Sequence, residues 1–206
     1  DALTPEAFRF HADVEVISAG GASVRHRVEV TRRDHTLRVA CPTAPERVRF
    51  DPDGDLLATL ELGVAPDALR ATLRHDTSAI ARLRAAGQLG KDATADTVTA
   101  LADALDDRFW GVGAEAAGAL GRLRTTAARD ALVAGLSRVK HPKARRAVAA
   151  ALGAFRGDLG VAEVLRRRLE QGDASLFVEA AAATALGATR VPFALEALEH
   201  ALATKD

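Results

Sequence analysis

The chain has 206 residues, 48% of them hydrophobic, with 28 Lys and Arg balanced by 28 Asp and Glu and a single cysteine, Cys41. That length can bury a core unaided, the lone cysteine excludes an internal disulfide framework, and no apolar run approaches the roughly 20 residues of a membrane span. Zero formal charge lacks the basic surplus with which domains engage a phosphate backbone, so neither nucleic acid nor a membrane is an expected partner.

Residues 8–50 alternate polar and apolar side chains, as in Val14-Glu15-Val16-Ile17 and Val24-Arg25-His26-Arg27-Val28, a period of two that puts neighbours on opposite faces of a strand. Gly20-Gly21 between those runs suits a tight hairpin. Thr36–Ala40 and Arg47–Phe50 predict two more strands, the last stopped by Asp51-Pro52-Asp53-Gly54, whose proline and glycine form turns. Four strands are too few for a complete sandwich, so residues 1–57 read as a small antiparallel β-sandwich or half-sandwich. A sandwich truncated at its start leaves an open edge near residues 8–17, and self-association through that edge is expected.

From Asp67 onward the sequence is alanine-rich, with apolar residues at helical spacing. It also repeats. Gly90, Gly121, Gly153 and Gly187 each follow a leucine at spacings of 31, 32 and 34 residues, and four positions earlier stand Ala86, Ala117, Ala149 and Ala183. A second series, Leu69/Leu73, Leu101/Leu105, Leu132/Leu136, Leu165/Leu169 and Leu198/Leu202, runs between them. One close-packing helix and one leucine helix per unit define an α-solenoid over residues 58–206, about four to five helix pairs in all. The four alanines are expected at helix–helix contacts. Each Leu-Gly is expected to end a helix with glycine in a left-handed cap, and Asp76, Asp96, Asp158 and Asp173 to cap or precede helices.

The second helix of each pair resembles the HEAT pattern, with Arg82 and Arg145 eight residues before the glycine, although Gly113 and Glu179 occupy that place in the other two units. The whole is therefore predicted as a mostly α fold, a HEAT-like solenoid behind a small sheet. The junction Val48-Arg49-Phe50-Asp51-Pro52-Asp53-Gly54-Asp55-Leu56-Leu57, followed by Leu69–Asp76 and Ile80–Leu89, resembles the boundary between β-sandwich and helical domain in aminopeptidase N-like zinc metallopeptidases. That resemblance implies a non-catalytic C-terminal part of such an enzyme, covering its active site and limiting access to short peptides. Its own catalytic domain and peptide substrates would then be its partners, and zinc would be implied for the parent. No two of the histidines at 11, 26, 35, 75, 141 and 200 stand three or four apart, and without methionine the family's Gly-x-Met-Glu-Asn motif is impossible. This stretch thus supplies no zinc-binding centre and no catalytic residue. The alternative is an independent HEAT scaffold that binds a protein partner on its concave face.

Four residues stand out as binding candidates. Trp110 is the only tryptophan, and Arg145, Arg146 and Arg167 lie in the densest basic stretches, Lys140–Arg146 and Arg166–Arg168. Cys41 has no neighbouring His or Asp signature and is expected as a buried small residue. The absence of methionine and of a leader pattern points to an excised piece, and the expected compartment is the cytoplasm.

Overall fold

A computed structural model of the chain describes residues 8–18, 20–41, 44–61 and 63–204. It divides into two compact units, residues 1–61 and 62–206. No described helix is long and apolar enough to cross a membrane.

The first unit is a three-stranded antiparallel sheet of β1 (Phe10–Ser18), β2 (Ser23–Val30) and β3 (Pro45–Phe50) in the order β2-β1-β3. Gly21, at φ 80°, makes the predicted hairpin turn and donates its N–H to Ser18 O at 2.9 Å. Register fixes the charges of one face. Asp13 of β1 lies opposite Arg27, and Glu15 opposite Arg25 on one side and Arg49 on the other. The pairs Arg27–Asp13 (2.9 Å) and Arg49–Glu15 (2.8 Å) follow directly. Three expectations fail here. Residues 36–40 are not a strand: Leu37, Val39 and Cys41 instead line, with Val14, Val16 and Val48, an open hollow on the other face, without extending the ladder. Residues 10–17 are not an edge, because β1 is central and the outer strands are β2 and β3. Cys41 is exposed rather than buried.

The second unit contains nine helices among the described residues, α1 (Pro66–His75), α2 (Ala79–Leu89), α3 (Ala95–Ala104), α4 (Trp110–Leu123), α5 (Thr126–Arg138), α6 (Pro142–Leu152), α7 (Leu159–Gln171), α8 (Leu176–Thr189) and α9 (Ala194–Ala203). Their starts are chemically marked. Ser78 and Asp158 cap α2 and α7, accepting the Ala81 and Val161 N–H groups at 3.3 and 3.0 Å, and Pro142 opens α6. The odd-numbered helices carry the leucine pairs, which are buried from Leu69 through Leu169. Each such leucine contributes roughly 1.5–3 kcal/mol relative to exposure, so these eight side chains form a large part of the core. The fifth pair differs: Leu198 is half-buried and Leu202 exposed, since α9 packs only on α7 and α8.

Even-numbered helices stack on one another, α2 on α4 on α6 on α8, more extensively than the odd ones do. A two-layer stack curves toward its tighter layer, so the even row forms the inner side of the solenoid. The repeated glycine explains the tightness; Gly90 and Gly153 do end α2 and α6 as expected, but none of the four is a left-handed cap. Gly90 and Gly153 have φ of −64° and −63°, while Gly121 and Gly187 lie inside helices; α4 and α8 run on to end in left-handed Arg124 and Arg190. A Cβ on Gly90 would lie 3.2 Å from Ala119 Cα, on Gly121 3.2 Å from Ala151 Cβ, and on Gly153 3.2 Å from Ala185 Cα. Each glycine thus admits the alanine two residues before the next repeat's glycine. Ala86, Ala117 and Ala149 are fully buried as expected, whereas Ala183 is only half-buried because no described even-numbered helix follows α8.

Candidate functional site

Polar contacts at the repeat junctions decide which of the candidate arginines can reach a ligand. Asp107 and Asp173 each stand three residues before an even-numbered helix and accept a backbone N–H two residues on, from Phe109 at 2.8 Å and Ser175 at 3.0 Å. Each also receives an arginine from the preceding repeat. Arg82 meets Asp107 through two bonds of 2.8 and 2.9 Å and donates to the carbonyls of Asp76 and Thr77. Arg145 meets Asp173 through two bonds of 2.7 Å and donates to the carbonyls of Val139 and Lys140. Burial works against ionisation of Asp107, but Arg82 and the Phe109 N–H outweigh it and hold the carboxyl below its ordinary range. For Asp173 the Arg145 bonds dominate and lower it in the same sense, against burial. Arg145 is therefore committed to the fold.

Arg167 is on α7, bonded to Glu163 at 2.7 Å, while Arg166 holds the same carboxylate at 2.8 Å. The two guanidiniums push the Glu163 carboxyl down to about 2. Arg166 and Arg167 are thus neutralised on their own helix, while Arg168 turns to Leu136 O at 3.2 Å and Asp173 at 3.7 Å.

The remaining two candidates come together. Trp110 and Arg146 line one open trough of about 960 Å³ that crosses α4, α6 and α8, with Lys143 and Phe177 along it and a floor of small residues such as Gly118, Ala147, Ala150 and Ala181. Trp110 opens α4 rather than closing α3, because the Asp107 turn ends the preceding loop at Phe109. Its ring stacks on His141 with centroids 6.0 Å apart and planes inclined by 19°, and the Lys143 ammonium sits 4.5 Å from its centroid. A second, smaller hollow shares Gly118, Ala150 and Ala151 with the trough and adds Arg122 and Arg124. Lys143 and Phe177 were not singled out in the sequence. A signal existed: both take the second position of their helix, adjoining the first position that Trp110 holds in α4.

In chemical terms the trough offers methyl groups, two aromatic faces and cations. Thr184, the only hydroxyl on it, donates to Ala180 O at 2.8 Å and so is already engaged. Among the described residues no three His, Cys, Asp or Glu side chains converge on a point that could hold a metal ion.

Comparison with known proteins fits this architecture. A family model described as HEAT repeats matches residues 66–153 and 131–206, which together run through the whole helical unit. Among solved structures, human deoxyhypusine hydroxylase in complex with glycerol superposes with a TM-score of 0.53 at 26% identity, over 61% of this chain and 43% of that one. The chain thus spans less than half of that protein's length. No curated protein matches it in sequence. These findings overturn the resemblance to the aminopeptidase N-like enzymes. The Ala-x-Leu-Gly helices that suggested their helical domain are HEAT repeats in their own right, and the turn at Asp51–Gly54 is a common strand terminator that carries no family signal.

Proposed function

The chain belongs to the HEAT-repeat family, and from that premise we propose that it is a scaffold whose inner, even-numbered face binds a protein partner along the trough across α4, α6 and α8. The observation that carries this reading is the trough itself. Three successive even-numbered helices present a floor of alanine and glycine, free of projecting side chains, between Trp110 at one end and the exposed Phe177 at the other. A floor of small residues lets a partner backbone approach closely, and large apolar side chains left in water mark surfaces that something covers. The odd-numbered face differs: α7 neutralises its own charges through Glu163, Arg166, Arg167 and Glu170.

Selection of binders from a random peptide library against the full chain tests the proposal, with the footprint of each binder read by hydrogen exchange. Binders should protect α4, α6 and α8, and Ala150→Trp, which fills the trough from an exposed floor position, should abolish their binding while leaving the circular dichroism spectrum intact. Binders whose footprint lies on the odd-numbered helices, or none above background, would sink it.

A further inference from the structure

We infer that the segment seated in the trough is acidic and carries one bulky apolar side chain, its carboxylates meeting Lys143 and Arg146 while the apolar group lodges between Trp110 and Phe177. This deepens the scaffold reading and rests on it.

Charge is the first ground. The two adjoining hollows are lined by four cationic side chains, Lys143, Arg146, Arg122 and Arg124, and by no carboxylate, on a chain whose formal charge is zero. Of the four, Arg122 is paired with Glu115 at 3.0 Å, whereas Lys143, Arg146 and Arg124 have no carboxylate partner among the described residues. At the repeat junctions of the same row, by contrast, Arg82 and Arg145 are each matched to an aspartate. Cations gathered along two adjoining hollows that hold no carboxylate raise the local concentration of anionic groups there and orient their approach.

Trp110 supplies the second ground. Its ring stacks on His141, and the Lys143 ammonium sits 4.5 Å from its centroid, an arrangement that holds the ammonium over the ring without a counter-ion. A carboxylate arriving at Lys143 would complete that cation's coordination without moving the ring. Phe177, 71% exposed, provides the opposing apolar wall, and burying an aromatic or leucine side chain against it recovers the area now left in water.

Nucleic acid would also bring anions, but the lining argues against it. Single strands are held by successive bases stacked on aromatics and by polar groups that reach sugars and base edges. The floor offers methyl groups, and its one hydroxyl is already bonded.

The test uses the full chain and labelled peptides of about ten residues, rich in Asp and Glu around a central Trp, beside an Asn/Gln version and a Lys version of the same sequence. Anisotropy titrations should show the acidic peptide bound at least about tenfold more tightly than its amide version, with the difference shrinking as salt rises. Lys143→Glu with Arg146→Glu should reverse the preference toward the Lys peptide, and Arg146→Gln alone should weaken acidic-peptide binding without that reversal. Arg74→Glu, on the exposed end of α1, should change neither. Equal binding of the acidic and amide peptides with a footprint on α4, α6 and α8 would overturn this inference and leave the scaffold reading standing. A footprint elsewhere would overturn both, and displacement of the peptide by a short oligothymidylate at equal charge would assign the face to nucleic acid instead.

Discussion

The contacts between successive even-numbered helices come in two kinds, and the contrast separates what closes the solenoid from what aligns it. At α2–α4 and α6–α8 an arginine crosses to the next repeat's aspartate, Arg82 to Asp107 and Arg145 to Asp173. At α4–α6 neither partner exists. Gly113 takes the arginine's position and Val139, fully buried, takes the aspartate's. A Cβ on Gly113 would lie 2.5 Å from Leu105 O, so that position is sterically closed to any longer residue. The two members of the pair are lost together, as expected if a buried ion left without its partner costs more than the pair contributes. All three contacts keep the glycine-on-alanine approach. Close packing is therefore the common element, and the ion pairs fix the turn that starts α4 or α8.

Removing half of a clamp should break this contrast most severely. Arg82 is buried and donates to Asp107 and to two carbonyls. Arg82→Met should cost about 3–5 kcal/mol in urea unfolding, because it strands the Asp107 carboxylate. Adding Asp107→Val, which imitates the α4–α6 contact, should restore part of that loss; the remainder reflects the Phe109 N–H that Asp107 also accepts. A single-variant loss no larger than the roughly 0–1 kcal/mol of a surface pair would show that the arginine is not structural.

A smaller effect should sharpen the packing side. Ala149 is fully buried between stacked helices, whereas Ala183, at the same place in the repeat, is half-buried. Ala149→Leu should cost about 1–3 kcal/mol through overpacking, and Ala183→Leu should stay within roughly 0.5 kcal/mol of the parent. Equal losses at the two sites would mean that α8 is covered as tightly as α6.

The helical architecture was readable because its determinants are local and periodic. Leucine pairs and Leu-Gly steps recur at fixed spacing, and burial must follow them. What the glycines do was not readable, since a Leu-Gly step suits a cap as well as a close crossing, and only the position of Ala119 or Ala151 on the neighbouring helix decides between them. The sheet was less legible for a similar reason. Thr36–Ala40 alternates as a strand does, yet apolar residues at that spacing can cover a sheet face as readily as join its edge. At the candidate site, Arg145 and Arg146 are adjacent in sequence and were indistinguishable there. Their helix phase turns one to Asp173 and the other into the trough. Arg167 was misleading in isolation because its neutralising Glu163 lies one turn back.

Acid should separate the clamps from surface pairs by the mildest perturbation, the loss of carboxylate charge. Asp107 and Asp173 ionise below their ordinary range when folded, so the stability they confer is present above the unfolded value, near 3.9, and is lost as the pH falls through that range toward the folded values. The urea midpoint should therefore hold steady from neutrality to about pH 5 and decline below it. The double variant Asp107→Asn/Asp173→Asn should start lower and decline less. Glu163, held at about 2 by Arg166 and Arg167, follows the same sign, but it lies on the surface of α7, where salt screens it. At about 1 M salt, with a screening length of roughly 3 Å, the part due to Glu163 should fade while the part due to the clamped, half-buried aspartates persists. An acid decline that vanishes entirely in high salt, or that the double variant leaves unchanged, would place the pH dependence on the surface and remove the energetic distinction between clamped and unclamped contacts.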